Sequence, residues 1–176
     1  DWALVTKVEA AIKAKRDVSR EDMGAYHDAR DRMVSIMNRS IIDSINHNVK
    51  PNDTLWHLGD FSFADEQKTA SVIKQINCKI NLIYGNHDKI IKRSKELQGL
   101  FASTRDYHEL YFQDSVAGKI PVVLSHFPMI TWNKAHHGAI MLHGHCHGNL
   151  QYPFIAKIMD VGVDPQGYKP ISEREI

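Results

Sequence analysis

Four short apolar segments, each followed by a polar group that could bind a metal or take part in catalysis, constrain the fold of this chain most. In chain order these groups are Asp60, Asn86-His87-Asp88, His126 and His145-Cys146-His147. Apolar runs of this length are typical of buried strands. In open α/β sheets the functional crevice lies beyond the carboxyl ends of the strands. We therefore predict an α/β fold in which four strands bring these side chains to one rim.

The remaining pattern predicts helices before and between these strands. Residues 1–50 are expected to be helical, with a clear apolar stripe over 30–49, and Ser19 is the expected cap of a helix start. Further helices are predicted over 65–76 and 89–100. Strands are predicted at 54–58, 79–84, 108–112, 120–124, 139–142 and 154–163.

Composition indicates one globular domain over residues 1–176. The chain is 43% hydrophobic and 24% charged, with a net charge of +1, which does not suggest a protein that coats a polyanion. Its two cysteines, Cys78 and Cys146, do not suggest a disulfide framework, so a reducing compartment is expected. Neither a transmembrane run nor a signal-peptide pattern is present, and we predict a cytoplasmic protein with no membrane partner.

The types of polar residue indicate which metals the rim would bind. Neutral imidazoles with carboxylate and amide oxygens suit Mn, Fe, Zn, Co or Ni better than Ca or Mg. A carboxylate such as Asp60 can bridge two cations, and two-metal centres act on phosphoryl groups. His87 stands between Asn86 and Asp88, which suggests an imidazole that binds no metal, is oriented by the carboxylate and protonates a leaving group.

The alternating histidines of the last segment leave two geometries open. Residues two apart point the same way in extended chain, so His145 and His147 could reach one metal or two adjacent metals. His143 and His57 are expected to support the site from the core. Cys146 is expected to be a small residue at a variable position. Trp132 and Phe127 could form either a substrate wall or part of the core.

Four motifs resemble those of a known superfamily. Gly59-Asp60, Gly85-Asn86-His87-Asp88, Ser125-His126 and Gly144-His145-Cys146-His147 resemble, in order, the second to fifth motifs of the calcineurin-like metallophosphoesterases. The resemblance covers about residues 30–170. The strings Leu58-Gly59-Asp60-Phe61, Trp132-Asn133-Lys134 and Val161-Gly162-Val163-Asp164 resemble its small bacterial and phage phosphoesterases.

The resemblance implies a four-layer αββα sandwich of two mixed sheets with a site for two divalent transition metal ions. Asp60 would bridge the two metals, and His147 would serve the second metal. His87 would be the catalytic imidazole and Asp88 its partner. The first metal's shell would be completed by Asn86, His126 and His145. The implied activity is hydrolysis of phosphomono- or phosphodiesters by a metal-activated hydroxide, with a nucleic acid possible only as a substrate.

The first motif of that superfamily, an Asp-x-His, is not found in residues 1–50. His27-Asp28 has the reverse order and lies in a predicted helix. Either this motif and its strand lie upstream of Asp1, which we expect, or the second metal site has degenerated. The second case would give a catalytically impaired scaffold that binds a protein partner, or a mononuclear metal-binding protein.

Overall fold

The structure, a computed structural model, describes residues 2–152 and 157–176. It is an α/β protein with two β-sheets and flanking helices, as predicted. The chain forms two compact units, Asp1–Ile41 and Ile42–Ile176. Within the described residues, no helix combines the length and apolarity needed to cross a lipid bilayer.

The first unit is a pair of packed helices. Helix α1 (Trp2–Lys13) packs against the first part of α2 (Arg20–Asn48) through a small apolar core. The buried residues of this core are Val5, Val8, Tyr26 and Ala29. The Ser19 hydroxyl accepts a hydrogen bond from the Asp22 amide at 3.0 Å, which confirms the predicted helix cap.

The first sheet is parallel. It contains β1 (Thr54–His57), β2 (Lys79–Ile83) and β3 (Ser103–Arg105), in the order β1-β2-β3. Helices α3 (Glu66–Ile73), α4 (Lys89–Arg93) and α5 (Lys95–Gln98) follow strands β1 and β2. Their buried residues Ile73, Ile91 and Leu97 pack with Ile80 and Leu82 of β2, so helices cover this face of the sheet.

The single helix predicted over 89–100 is wrong in one respect. Ser94 separates α4 from α5, and its hydroxyl accepts a hydrogen bond from the Leu97 amide at 3.3 Å. Serine competes for backbone hydrogen bonds in this way, which makes it a helix start more readily than a helix interior.

The second sheet is mixed. It contains β4 (Tyr107–Asp114), β5 (Gly118–Ser125), β6 (Ile140–His143) and β7 (Ile158–Asp160) in that order. The β4–β5 pair is antiparallel, whereas β5, β6 and β7 are parallel. The expectation of two mixed sheets therefore holds for this sheet, while the described strands of the first are all parallel. Part of the predicted strand region 154–163, residues 154–156, lies outside the described residues.

The two sheets face each other across a shared core. Its buried residues are Leu58, Ile83, Val122, Leu124 and Leu142. Because strand side chains alternate, Val123 and Met141 point to the opposite face. There they pack with Trp132 and Ala139 of the segment before β6. The Trp132 indole also donates to the Ala139 carbonyl at 3.0 Å, so this residue belongs to the core.

Candidate metal centre

Polar side chains that follow four strands meet at one place. Asp60 follows β1, Asn86 follows β2, His126 follows β5 and His145 follows β6. One ligand atom each of Asp60, His126 and His145 lies within 4.8 Å of the others. The Asn86 Oδ1 atom lies 3.0 Å from His126 Nε2. The prediction that four strands bring polar side chains to one rim is confirmed for Asp60, Asn86, His126 and His145, and their role as metal ligands stays a prediction.

The His126 imidazole is the buried centre of this cluster. Its Nδ1 lies 2.7 Å from the Leu58 carbonyl oxygen. A carbonyl can only accept, so Nδ1 carries the hydrogen and Nε2 of the neutral ring presents a lone pair. That Nε2 faces Asn86 Oδ1 at 3.0 Å, His145 Nδ1 at 3.2 Å and Asp60 Oδ2 at 3.4 Å.

This arrangement of acceptor atoms fits a cation. The His126 lone pair faces a carboxylate oxygen, which has no hydrogen to donate, and this holds whichever way the Asn86 amide is turned. A divalent cation would accept lone pairs from all four groups at once. Two imidazole nitrogens, a carboxylate oxygen and an amide oxygen form a donor set that suits a transition metal.

Asp60 is held in place by its neighbours. Its Oδ1 accepts a hydrogen bond from the His87 amide at 2.8 Å, which leaves Oδ2 directed towards His126. Its backbone is left-handed, with φ of 54°, as is that of Gly59 with φ of 93°. His145 and His147 also have left-handed backbones, with φ of 68° and 51°. Such conformations are strained in residues other than glycine and cluster at functional sites.

Asp88 connects the loops after β1 and β2. Its side chain is completely buried. Its Oδ2 accepts from the amides of Asp60 and Gly85, and its Oδ1 from the amide of Phe61, all at 2.8 Å. Among the described residues neither oxygen bonds to the His87 imidazole, so the prediction that Asp88 orients that ring has no support here. Instead, Asp88 holds the backbone that presents Asp60.

Gly59 and Gly85, the glycines of the first two motifs, lie where no side chain would fit. A Cβ atom on Gly85 would lie 2.2 Å from Asp60 Oδ1 and 2.4 Å from Asp60 N. A Cβ atom on Gly59 would lie 2.3 Å from His126 Nδ1. Any side chain at either position would therefore displace a member of the cluster.

His147 lies outside the cluster formed by Asp60, His126 and His145. It is exposed, and its Nδ1 is 2.5 Å from Asp164 Oδ2. Its role at a second metal remains a prediction. Sequence reasoning did not assign Asp164 a role, although this residue ends the Val161-Gly162-Val163-Asp164 string; nothing in the string indicates a contact with a histidine seventeen residues earlier.

His87 is exposed, and the metal-binding cluster of described residues does not include it. Its ring centroid lies 4.9 Å from that of Phe63. This position agrees with the prediction that His87 is not a ligand.

Two further histidines support the site from the core. His143 is fully buried, with Nδ1 2.7 Å from the Gly144 oxygen and Nε2 2.5 Å from the Tyr152 hydroxyl. The His57 ring packs edge-on against Phe61 at 4.9 Å, and within the described chain its buried Nδ1 has no hydrogen-bond partner. Burial is the main cause that lowers the pKa of His57, and the adjacent carboxylates oppose it. Both rings are core residues, as predicted.

Cys146 and Phe127 are neighbours of the cluster in sequence. Burial raises the pKa of the Cys146 thiol, and this residue is not part of the cluster of possible metal ligands among the described residues. Phe127 is 47% exposed, and its ring lies 4.6 Å from that of His145 and 4.8 Å from that of His126. Phe127 therefore borders the site, whereas Trp132 belongs to the core.

Comparisons with known proteins give relatives whose names describe no function. No family model matches the chain. The chain is 29% identical over 146 residues to Uncharacterized protein MJ1445 of Methanocaldococcus jannaschii, a match covering 79% of this chain and 72% of that protein. The structure of this chain is similar to the crystal structure of the Protein of Unknown Function AQ665 from Aquifex aeolicus. The TM-score is 0.59 and the sequences are 26% identical, and the match covers 79% of this chain and 82% of the other.

Proposed function

We propose that this chain is a metal-dependent phosphoesterase that hydrolyses phosphomono- or phosphodiester bonds. The observation that carries the proposal is the convergence of Asp60, Asn86 and His145 on His126, with one possible ligand atom of each within 3.0–3.4 Å of His126 Nε2. The motif resemblance adds the reaction class. We further propose a cytoplasmic location, which the two free cysteines support.

These four side chains would hold one divalent transition metal ion. When bound, such ions supply Lewis acidity towards phosphoryl oxygens and lower the pKa of water. The chain's own contribution is to fix the donor atoms in advance. His126 is oriented by the Leu58 carbonyl, and Asp60 by the His87 amide. Fixed donors lose little freedom on binding the ion and the substrate.

His87 would act on the leaving group. Its backbone amide is bonded to the Asp60 carboxylate at 2.8 Å, so its position relative to the ligand set is fixed. Its imidazole is exposed, outside the donor set and beside an open cleft, where it can hold a proton near a leaving oxygen. Asp88 would assist by holding the loop that contains Asp60.

The proposal includes a second ion and the finer fold that the resemblance implies. His147 and the bridging Asp60 would contribute to the second ion, together with an Asp-x-His that residues 1–50 do not contain. The four-layer αββα sandwich is proposed on the same ground. Two facing sheets and a helical layer on the first sheet support it.

The proposal is tested with purified protein supplied with Mn²⁺ and assayed on bis-p-nitrophenyl phosphate and p-nitrophenyl phosphate. We expect hydrolysis that a chelator abolishes and Mn²⁺ restores. His145→Ala should lose metal and activity, whereas His137→Ala, an exposed histidine outside the cluster, should keep both. His87→Gln should bind metal normally and lose about 10²–10⁴-fold in rate.

Absence of hydrolysis in a sample shown by elemental analysis to contain metal would contradict the proposal. That result would favour the scaffold that binds a protein partner. One metal per chain with full activity would instead indicate a mononuclear enzyme.

A further inference from the structure

A cleft of about 560 Å³ opens beside the imidazole of His87. Its walls come from the loop after β1, the start of α3 and helix α4. Small-molecule sites commonly have volumes of roughly 300–1,000 Å³. Since His87 is proposed to act on the leaving oxygen, the groups that line this cleft would contact the leaving part of the substrate.

Phe63 forms an aromatic wall of the cleft. Its side chain is 77% exposed, and its ring centroid lies 4.9 Å from that of His87 at an angle of 45°. A large apolar ring left in water gains by being covered. A flat heteroaromatic ring is a suitable cover, because exposed aromatic side chains stack on nucleobases with little dependence on the base.

Lys89 and Arg93 supply positive charge to the same cleft. They are four residues apart on α4, which places them on one side of the helix, and both line the cleft. Both are exposed, and neither forms an ion pair with another described residue. Lys92 on the same helix differs, because its Nζ is 2.5 Å from Asp106 Oδ1.

The charge of the cleft favours an anionic group. Glu66 is the only acidic side chain among the described residues that line it, so Lys89 and Arg93 outnumber it. An arginine guanidinium and a lysine ammonium are the usual partners of a phosphate. The cleft thus combines an aromatic wall with two cations next to the proposed catalytic imidazole.

We propose that the cleft binds the leaving nucleotide of a nucleotidyl phosphodiester, with the base against Phe63 and a further phosphate at Lys89 and Arg93. The substrate class is then short single-stranded nucleic acid. This inference rests on the proposed function. In the reaction, the oxygen of water bonds to phosphorus, the bond from phosphorus to the nucleoside oxygen breaks, and a proton from water ends on that oxygen. One water is consumed and no oxidant or reductant is needed.

The test compares the thymidine dinucleotide TpT with forms that carry an additional terminal phosphate, pTpT and TpTp. We expect kcat/KM at least about tenfold higher for one of the phosphorylated forms. The double variant Lys89→Ala/Arg93→Ala should remove that advantage and leave hydrolysis of bis-p-nitrophenyl phosphate within about twofold of wild type, because this compound has no second phosphate. Lys92→Ala is the matched control and should retain the advantage.

Phe63 is tested on the dinucleotides. Phe63→Ala should lower kcat/KM about tenfold, and Phe63→Tyr should restore it, because a tyrosine ring also stacks on bases. Binding of fluorescent hexathymidylate, followed by anisotropy in the presence of a chelator, provides a readout that needs no catalysis. It should weaken in the double variant and in Phe63→Ala, and stay unchanged in Lys92→Ala.

The two proposals fail separately. If bis-p-nitrophenyl phosphate is hydrolysed but TpT, pTpT and TpTp react equally and the variants bind hexathymidylate as wild type does, the cleft inference is overturned. If no ester is hydrolysed but hexathymidylate binds as expected, the nucleic acid site stands and the phosphoesterase proposal falls.

Discussion

The imidazole of His147 and the carboxylate of Asp164 form a close pair, with Nδ1 2.5 Å from Oδ2. A carboxylate that accepts from Nδ1 keeps the hydrogen on that nitrogen, so the lone pair of Nε2 is free for a metal. Carboxylates of this kind fix both the tautomer and the ring orientation of metal-binding histidines. Asp164 would thus orient His147 as a ligand of the proposed second metal, although His147 lies outside the cluster around His126.

We predict that Asp164→Ala lowers the affinity for the second of two Mn²⁺ equivalents by about 10–100-fold and leaves the affinity for the first unchanged. The first equivalent would be bound by Asp60, Asn86, His126 and His145, whereas the contact seen for Asp164 in the described structure is with His147. Isothermal titration calorimetry with Mn²⁺ measures both. Glu175→Ala, another exposed carboxylate of the C-terminal segment, should leave both equivalents unchanged. An unaltered second equivalent in Asp164→Ala would refute the orienting role.

Gly85→Ala should abolish metal binding. The added Cβ would lie 2.2 Å from Asp60 Oδ1, so Asp60 or the loop after β2 must move. Binding of Mn²⁺ to the variant is measured by the same titration. Gly24→Ala is the control, because this position lies in α2 with no atom within 4 Å of the added Cβ. That control should keep metal binding and gain about 1 kcal/mol in stability, as alanine is the better helix former.

Asp88→Asn should destabilise the fold by about 3 kcal/mol, measured by urea unfolding. An amide oxygen can replace one carboxylate oxygen, but the amide nitrogen would meet a backbone donor where Oδ1 or Oδ2 now accepts. Asp114→Asn is the milder comparison, because the exposed Asp114 accepts from two backbone amides through Oδ1 alone, which an amide oxygen can replace. A smaller loss is expected there, and equal losses in the two variants would contradict the argument.

Metal addition should raise the melting temperature. The four proposed ligands come from loops that follow four strands, so a cation bound by the folded chain alone stabilises it by mass action. At a free Mn²⁺ concentration 100-fold above the dissociation constant, the free energy of unfolding rises by about 2.7 kcal/mol. His145→Ala should lose this shift, and the exposed His136→Ala should retain it. Differential scanning calorimetry measures both, and an equal shift in the two variants would indicate binding elsewhere.

Tyr107 provides a pH prediction away from the site. Burial is the main cause that raises the pKa of Tyr107 to about 12, and the hydrogen bond to Glu109 adds to it. A group whose pKa is raised on folding stabilises the folded state below its unfolded pKa, here 10.0. That contribution is lost as the pH rises towards 12.

The difference between the ultraviolet titrations of wild type and Tyr107→Phe isolates this residue. In a Glu109→Gln background the Tyr107 transition should move to lower pH, because the carboxylate that holds the phenol proton is gone. A transition near 10.0 in the wild type would contradict the prediction.

The sequence predicted the strands of the site well, because their apolar runs and following glycines are local signals. Strands β1, β2, β5 and β6 begin and end within a few residues of the predicted bounds. Strand β3 was missed. Ser103-Thr104-Arg105 contains no apolar residue, and only its pairing with β2 makes it a strand.

Side chains with similar sequence signals have different surroundings in the folded protein. Trp132 and Phe127 are both aromatic residues of the segment before β6, yet one is buried in the core and the other borders the histidines. Asp88 follows His87 directly, but its carboxylate bonds to the backbone of a different loop. No local rule distinguishes these cases, because each depends on which surface lies opposite.

Residue type and strand period are local properties, so the residues alone indicate which side chains follow each strand and which donor atoms they offer. Which of these side chains meet depends on tertiary packing. His126 reaches the carbonyl of Leu58 across 68 positions and the amide of Asn86 across 40. Both contacts require the two sheets to pack face to face, so that the ends of their strands form one rim.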